Sequence, residues 1–169
     1  EILYPEIARC LAMRGAEVFL HSTGEMGNMS ETPKQIARKA RALENMAYVI
    51  SANSGSIRGH ELPKSSTDGR SSIINFKGQI MTEAGYGESM TANDCIDLHA
   101  LRKYRKRPGM SNYLARQRFE VFAETYGGEG SQKANALLDE KGNHKIPERA
   151  HFISAQTEAI SKLAKKKII

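Results

Sequence analysis

A helix start between two short apolar segments constrains the fold of this chain most. Residues 32–35 (Thr-Pro-Lys-Gln) combine a capping hydroxyl, a proline at the first helical position and a glutamine placed to complete a capping box. They predict a helix that runs to about Asn45. The apolar residues 18–20 before it and residues 48–53 after it predict two strands. Alternating strands and helices of this kind fold as a sheet covered by helices.

Further elements extend this pattern in both directions. Residues 5–14 favour a helix, and residues 72–82 predict a β-hairpin. Residues 92–96 predict another strand, and Asp97 is a suitable N-cap for a short helix to about Lys106. The predicted fold class is therefore α/β, with a mixed sheet covered by helices on at least one face.

Composition and charge exclude several classes of protein. The chain has 169 residues, 40% hydrophobic and 26% charged, and no segment approaches the ~20 apolar residues of a spanning helix. Of the net charge of +6, residues 144–169 carry +4 through six basic and two acidic side chains. There is no tryptophan, and the basic excess is confined to one end. We therefore expect no membrane partner and no nucleic-acid partner.

The two cysteines, Cys10 and Cys95, cannot form a disulfide framework and have no His or Cys at zinc-ligand spacing. This usage is typical of a reduced intracellular compartment, so a cytoplasmic location is expected and no metal site is predicted. Free cysteines are most often buried small hydrophobes. We expect Cys10, in the first helix, and Cys95, in the strand at residues 92–96, to be structural rather than nucleophilic.

The start of the chain carries the pattern of a known family. Residues 1–6 (Glu-Ile-Leu-Tyr-Pro-Glu) and 12–18 (Ala-Met-Arg-Gly-Ala-Glu-Val) resemble the segment just after the nucleophile in the nitrilase superfamily of carbon-nitrogen hydrolases. That pattern is Cys, any residue, Asp or Glu, two variable residues, Phe or Tyr, Pro and Glu. The residues that fit its last four fixed positions are Glu1, Tyr4, Pro5 and Glu6. Aliphatic amidases look most similar in this segment.

Further segments resemble the family in the same order. Residues 41–45 and 48–53 are similar to a helix and strand of the family's second half. Residues 69–78 are similar to its Gly-x-Ser-x-Ile hairpin, although Arg70 replaces the commoner His or Gly. Residues 96–105 are similar to the segment that closes the catalytic domain.

The resemblance divides the chain into three parts. Residues 1–126 correspond to the C-terminal half of a carbon-nitrogen hydrolase domain. Residues 127–146 are a polar, linker-like segment, and residues 147–169 predict an amphipathic basic helix. The family implies a homo-oligomer, in which the apolar side of this helix would form a subunit contact. That side consists of Ile153, Ile160 and Leu163.

The resemblance also implies a fold and a chemistry. The family has a four-layer α-β-β-α sandwich, of which this chain would form part, with a C-terminal helical extension. A Glu-Lys-Cys triad cleaves a small amide or nitrile: the Cys attacks the carbon, the Glu transfers the proton and the Lys stabilises the oxyanion. The nucleophile falls two positions before Glu1, so the chain is expected to begin inside a longer protein and to be inactive alone. The family uses no metal and no organic cofactor.

Two groups of residues in this chain are candidates for the site. The residues expected to support the nucleophile loop are Glu1, Tyr4, Pro5 and Glu6. The candidates for the substrate pocket are His21, Ser22, Thr23 and Glu25 after the first strand and Asn53 at the end of the second. A polar loop that is merely solvated is the alternative. Glu44 and Asn45 are expected to brace the helix rather than to contact substrate.

Alternative functions stay open at this point. The similarity to aliphatic amidases favours an amide substrate, with a nitrile as the alternative. A second alternative is a non-catalytic interaction module that keeps the fold and docks a partner through its terminal helix. A third is electrostatic binding of RNA or a membrane surface by residues 147–169, which would be sensitive to salt.

Overall fold

The computed structural model describes residues 1–26, 30–61, 67–127 and 134–168. It divides into two compact units, Glu1–Gln117 and Arg118–Ile169. Residues 27–29, residues 62–66 and residues 128–133 of the predicted linker lie outside the described residues.

The described part of the first unit contains a mixed sheet and three helices. Its strands are β1 (Val18–Thr23), β2 (Tyr48–Asn53), β3 (Ser72–Ile74) and β4 (Ile80–Glu83). Its helices are α1 (Pro5–Met13), α2 (Pro33–Asn45) and α3 (Leu98–Lys106). The α/β prediction is confirmed, as are the hairpin formed by β3 and β4 and the helix that Asp97 caps.

The strands lie in the order β1-β2-β3-β4 within the described residues. Strand β1 pairs with β2 in parallel, from Val18 opposite Tyr48 to Thr23 opposite Asn53, while the other two pairings are antiparallel. Helix α2 connects the two parallel strands. The carboxyl ends of β1 and β2 therefore lie at the same edge of the sheet, together with the loops that follow them.

Local signals fix both ends of α2. The hydroxyl of Thr32 accepts a hydrogen bond from the amide of Gln35, and the Gln35 side chain accepts one from the amide of Thr32 at 3.0 Å. The predicted capping box is thus confirmed. At the other end Met46 adopts a left-handed conformation with φ of 48°, which stops the helix.

Two apolar clusters lie on opposite faces of the sheet, because the neighbouring residues Tyr48 and Val49 point to opposite sides of β2. Val49 packs with small residues of α1 and α2, among them Ala8, Ala12 and Ala42. Tyr48 packs with Phe76 and with Leu101 of α3. Helices therefore cover parts of both faces.

Strand β1 is longer than its apolar run predicts. Its ladder with β2 continues to Thr23, so His21, Ser22 and Thr23 lie within the strand and not in a following loop. The prediction was wrong there because polar residues extend a strand when a partner strand supplies the hydrogen bonds.

The predictions for the two cysteines were wrong in their surroundings. Both side chains are exposed. Cys10 lies on the side of α1 opposite the buried Ala8 and Ala12, because residues two positions away point across a helix. Residues 92–96 form no strand, so Cys95 lies in an irregular segment.

The second unit contains α4 (Phe119–Gly127) and α5 (Arg149–Lys165) among its described residues. The predicted terminal helix is confirmed as α5, and Phe152, Ile153 and Ile160 are exposed on it. Helix α4 was not predicted. None of the helices in the described ranges is both long and apolar enough to cross a membrane.

Candidate functional site

The candidate pocket residues gather at the carboxyl edge of the two parallel strands. His21, Ser22 and Thr23 end β1, Glu25 follows that strand, and Asn53 ends β2. His21 and Thr23 are half-buried, whereas Ser22 is exposed, as expected for side chains that alternate along a strand. Loops at this edge of a parallel sheet commonly form binding sites.

Asn53 joins the loops at this edge. Its Oδ1 accepts a hydrogen bond from the amide of Glu25 at 2.9 Å, and its Nδ2 donates to the carbonyl oxygen of Gly69 at 2.8 Å and to the carboxylate of Asp68. Its own amide donates to Ser71 Oγ at 2.9 Å. Both hydrogens of the Asn53 side chain are therefore engaged in holding neighbouring segments.

Asp68 is the buried centre of this edge, and the sequence analysis missed it. Its residue exposure is 0%. Besides Asn53, its carboxylate accepts from Gln35 Nε2 at 2.9 Å, which ties the edge to the first turn of α2. Asp68 stands in a polar, glycine-containing stretch, where an aspartate usually indicates a turn. No local signal distinguishes it.

Arg38 supplies the buried positive charge of the cluster. Its side chain is 1% exposed, and Nη2 lies 3.2 Å from the carboxylate of Glu25, while Nη1 donates to the carbonyl oxygen of Arg70 at 3.1 Å. One turn of α2 separates Arg38 from Gln35, so both side chains reach the same edge. Removing one partner of a buried ion pair costs about 3–5 kcal/mol.

Burial perturbs two titratable groups here. Burial raises the pKa of the Asp68 carboxyl, the carboxylate of Glu25 raises it further, and Arg38 opposes the shift. Burial lowers the pKa of His21, and the positive charges of Arg38 and of Lys34 act in the same direction. Nδ1 of His21 lies 2.9 Å from Ser51 Oγ. The arrangement therefore favours a neutral imidazole at this edge.

The second predicted group, at the start of the chain, leads into α1. Tyr4 is the N-cap residue of α1, Pro5 is its first residue and Glu6 stands in its first turn. The amide of Tyr4 donates to the carbonyl oxygen of Glu1 at 3.0 Å, which closes a tight turn before the helix. The residues predicted to support the nucleophile loop therefore form this turn and the first turn of α1.

Helix α2 holds that turn from behind. Nε of Arg41 donates to the carbonyl oxygen of Ile2 at 3.0 Å, and Nη2 donates to that of Leu3 at 3.4 Å. Glu44 pairs with Arg41, and Asn45 Nδ2 donates to the carbonyl oxygen of Arg41 at 2.9 Å. Glu44 and Asn45 thus support the residue that holds the turn.

The site residues fall into two groups: side chains that can contact a ligand, and a buried polar cluster that holds them in place. In the described parts of the chain, no group of three His, Cys, Asp or Glu side chains is placed to hold a metal ion. The exposed Ser22 and the half-buried His21 and Thr23 can offer hydrogen bonds to a ligand. Glu25 and Asn53 instead face the buried Asp68 and Arg38.

Comparison with known proteins assigns the family. A family model described as carbon-nitrogen hydrolase matches residues 1–106. The chain belongs to the carbon-nitrogen hydrolase family. A nitrilase of Pyrococcus abyssi (strain GE5 / Orsay) is 33% identical over 103 residues, which cover 60% of this chain and 36% of the nitrilase. The chain thus spans little more than a third of the length of that curated relative.

Solved structures confirm the fold. The NitN amidase from Nesterenkonia sp. AN1 is similar with a TM-score of 0.56 and 28% identity, over 73% of this chain and 42% of the amidase. A structure of a mutant of the amidase from that organism, with acetamide from fluoroacetamide added covalently at the active site cysteine, has a TM-score of 0.50 and 26% identity, over 73% and 40% of the two chains. This chain has the nitrilase-type fold in part, with a C-terminal helix.

Proposed function

We propose that this chain is part of an amidase, an enzyme that cleaves a small amide through a cysteine thioester. The observation that carries the proposal is the turn at Glu1–Tyr4, which leads into α1 at Pro5 and is held by Arg41. The sequence of this segment resembles the part of the family pattern that follows the nucleophile. The family match over residues 1–106 and the similarity to an amidase structure support it.

The nucleophile of the proposed enzyme is a cysteine two positions before Glu1, with the Glu and Lys of the triad further upstream. The thiolate attacks the amide carbon and forms a tetrahedral intermediate whose oxyanion the Lys stabilises. The Glu delivers the proton to the leaving amine, and the carbon-nitrogen bond breaks. Water, activated by the same Glu, then hydrolyses the thioester and restores the thiol.

This chain contributes the wall of the pocket and the support of the nucleophile turn. Three residues lie at the carboxyl end of β1: His21, Ser22 and Thr23. We assign to them the hydrogen bonds to substrate. A neutral His21 can donate or accept there without bringing a charge into the pocket. Glu25 and Asn53, which bond to the cluster beneath, fix the position of this edge.

An amide is favoured over a nitrile by the form of the segment Tyr4-Pro5-Glu6 and by the amidase among the structural relatives. The nitrilase relative makes the nitrile the second candidate. The full-length protein that contains this chain should release ammonia from acetamide faster than from acetonitrile at equal concentrations. A variant with alanine two positions before Glu1 should lose both activities. Hydrolysis of neither compound by the wild type would reject the proposal, and nitrile hydrolysis alone would move the assignment to a nitrilase.

We further propose that the protein assembles as a homo-oligomer and that α5 contributes a contact between subunits. Ile153 and Ile160 of α5 are each 55% exposed, and Phe152 beside them is 49% exposed. Large exposed apolar side chains on one helix favour burial against another chain. Removing residues 147–169 from the full-length protein should lower its sedimentation coefficient to that of a smaller assembly. An unchanged assembly would contradict this role.

A further inference from the structure

Asp68 connects four separate segments of the first unit. Its carboxylate accepts hydrogen bonds from Asn53 at the end of β2 and from Gln35 at the start of α2. Its amide donates to the carbonyl oxygen of Glu25 at 3.3 Å, and its carbonyl oxygen accepts from the amide of Gly87 at 2.7 Å. The residue is completely buried, so no water competes for these bonds.

We propose that Asp68 is a positioning residue of the active site. Through Asn53 and Glu25 it fixes the position of the end of β1, whose residues we assign to substrate binding. This inference rests on the proposed amidase function. Asp68 does not touch substrate. It orients Asn53. The side chain of Asn53 in turn accepts a hydrogen bond from the amide of Glu25, which follows the strand that carries His21 and Thr23.

The chemistry of the site requires a carboxylate at position 68. Both partners of the side chain, Gln35 Nε2 and Asn53 Nδ2, are amide N–H donors, so both oxygens of Asp68 must accept. An asparagine at this position offers one oxygen and one NH₂ group. The substitution Asp68→Asn therefore sets two donors against each other and displaces either Asn53 or the first turn of α2.

A second substitution restores every hydrogen bond. The Gln35 side-chain oxygen already accepts from the amide of Thr32 and from Nη1 of Arg70, both at 3.0 Å. In the double variant Asp68→Asn/Gln35→Glu, the carboxylate at position 35 keeps these two bonds and accepts from the new amide at position 68. The oxygen at position 68 still accepts from Asn53. The charge moves by one side chain and stays within the cluster of Arg38 and Arg70.

Asp97→Asn provides a matched control. Asp97 caps α3 by accepting from the amide of Ala100 at 2.8 Å, and asparagine caps a helix about as well as aspartate. This exchange makes the same chemical change at a position that none of the four bonds of Asp68 involves. It should leave kcat, KM and the pH profile of amide hydrolysis as in the wild type.

The experiment measures kcat and KM for acetamide as a function of pH in the full-length protein and its variants, well below their unfolding midpoints. We expect Asp68→Asn to lower kcat/KM by about ten- to a hundredfold, as misplacement of a reacting group by a fraction of an ångström does, and to change the pH profile. The double variant should recover most of this loss. A purely stabilising role would lower the unfolding midpoint without changing kcat/KM or the pH profile of the folded enzyme.

Each outcome decides the proposal. If the wild type is active and Asp68→Asn stays within twofold of it, or if a folded double variant recovers nothing, the positioning role is wrong while the amidase function stands. If neither variant gives a folded protein, the role of Asp68 is structural and the proposal is overturned. If the wild type hydrolyses neither amide nor nitrile, the proposed function fails and this inference fails with it.

Discussion

The guanidinium of Arg41 donates from Nε to the carbonyl oxygen of Ile2 at 3.0 Å, which fixes the turn before α1 against the side of α2. The same guanidinium reaches the carbonyl oxygen of Leu3 and pairs with Glu44 at 2.5 Å. Arg41 is buried and its guanidinium is charged, so these contacts are charge-assisted hydrogen bonds. In the proposed enzyme they hold the chain directly after the nucleophile.

Replacing Arg41 with methionine should therefore weaken both stability and reactivity. Loss of the two carbonyl contacts and of the ion pair with Glu44 should cost about 2–4 kcal/mol in the free energy of unfolding. The nucleophile should also react more slowly with fluoroacetamide. Urea unfolding and the alkylation rate of the full-length protein measure the two effects. Arg41→Lys keeps the charge but not the planar fork, so its stability and alkylation rate should lie between those of the wild type and of Arg41→Met. Equal alkylation rates in all three proteins would contradict the role of this contact.

Arg105 of α3 should matter far more for stability than Arg102 on the same helix. Arg105 donates to the carbonyl oxygens of Ala16, Asn45 and Met46 at 2.7, 3.2 and 2.9 Å, and so covers the end of α2. Arg105→Ala should lower the free energy of unfolding by about 2–4 kcal/mol, because buried carbonyls lose a charged donor.

The matched variant is Arg102→Ala. Arg102 pairs with Glu17 at 2.8 and 2.9 Å, but this pair is open to solvent, where ion pairs contribute little. Urea unfolding of both variants makes the comparison. Equal destabilisation by the two changes would show that the carbonyl contacts of Arg105 do not anchor α3.

Gly55 lies so close to the backbone of another segment that replacing it with alanine should destabilise the fold. A Cβ added at Gly55 would lie 2.7 Å from the carbonyl oxygen of Glu88, which backbone atoms can relieve only by moving apart. Gly55→Ala should cost about 1–3 kcal/mol in unfolding free energy. At Gly24 the nearest atom is Ser54 Oγ at 3.9 Å, so Gly24→Ala is the control. Thermal unfolding that ranks Gly24→Ala as the more damaging variant would refute this packing.

His21 determines the direction in which the stability of the folded protein should change with pH. Burial lowers its folded-state pKa below 6.5, so between pH 6.5 and that folded value the unfolded chain binds more protons than the folded one. Stability from this group is complete above pH 6.5 and is lost as the pH falls through that window. His21→Gln should reduce this loss. NMR titration of the histidine ring, assigned with that variant, should give a pKa below 6.5, and a value above 6.5 would reverse the prediction.

The parts of the fold that local chemistry determines were predictable, and α2 shows why. Its proline, its Thr32 cap and Gln35 lie within one turn, so adjacent residues carry the whole signal. Strand β1 was predicted too short because its last three residues depend on pairing with β2, some 30 positions later. Helix α4 carries several large apolar side chains that are all exposed in the described structure, so no buried stripe marks it.

The sequence predicted the site residues that follow the strands, but not the buried charged residues that hold them. Polar residues after a strand indicated Glu25 and Asn53, and the structure brings these two together. Arg38 and Asp68 carry no such signal, because charged residues in a polar stretch normally lie in water. What buries them is the convergence of α2 with two loops more than 25 residues apart in sequence.

If this chain is the second part of an amidase, the nucleophile is a cysteine two positions before Glu1. Fluoroacetamide tests it directly, since a thiolate that displaces fluoride keeps the acetamide group. The measurement is peptide mapping by mass spectrometry of the full-length protein after incubation with this compound, beside the assay of amide hydrolysis. We expect one acetamide group on the cysteine two positions before Glu1, with loss of activity in proportion to labelling. Labelling confined to Cys10 or Cys95, which are both exposed, or full labelling with activity intact, would contradict it.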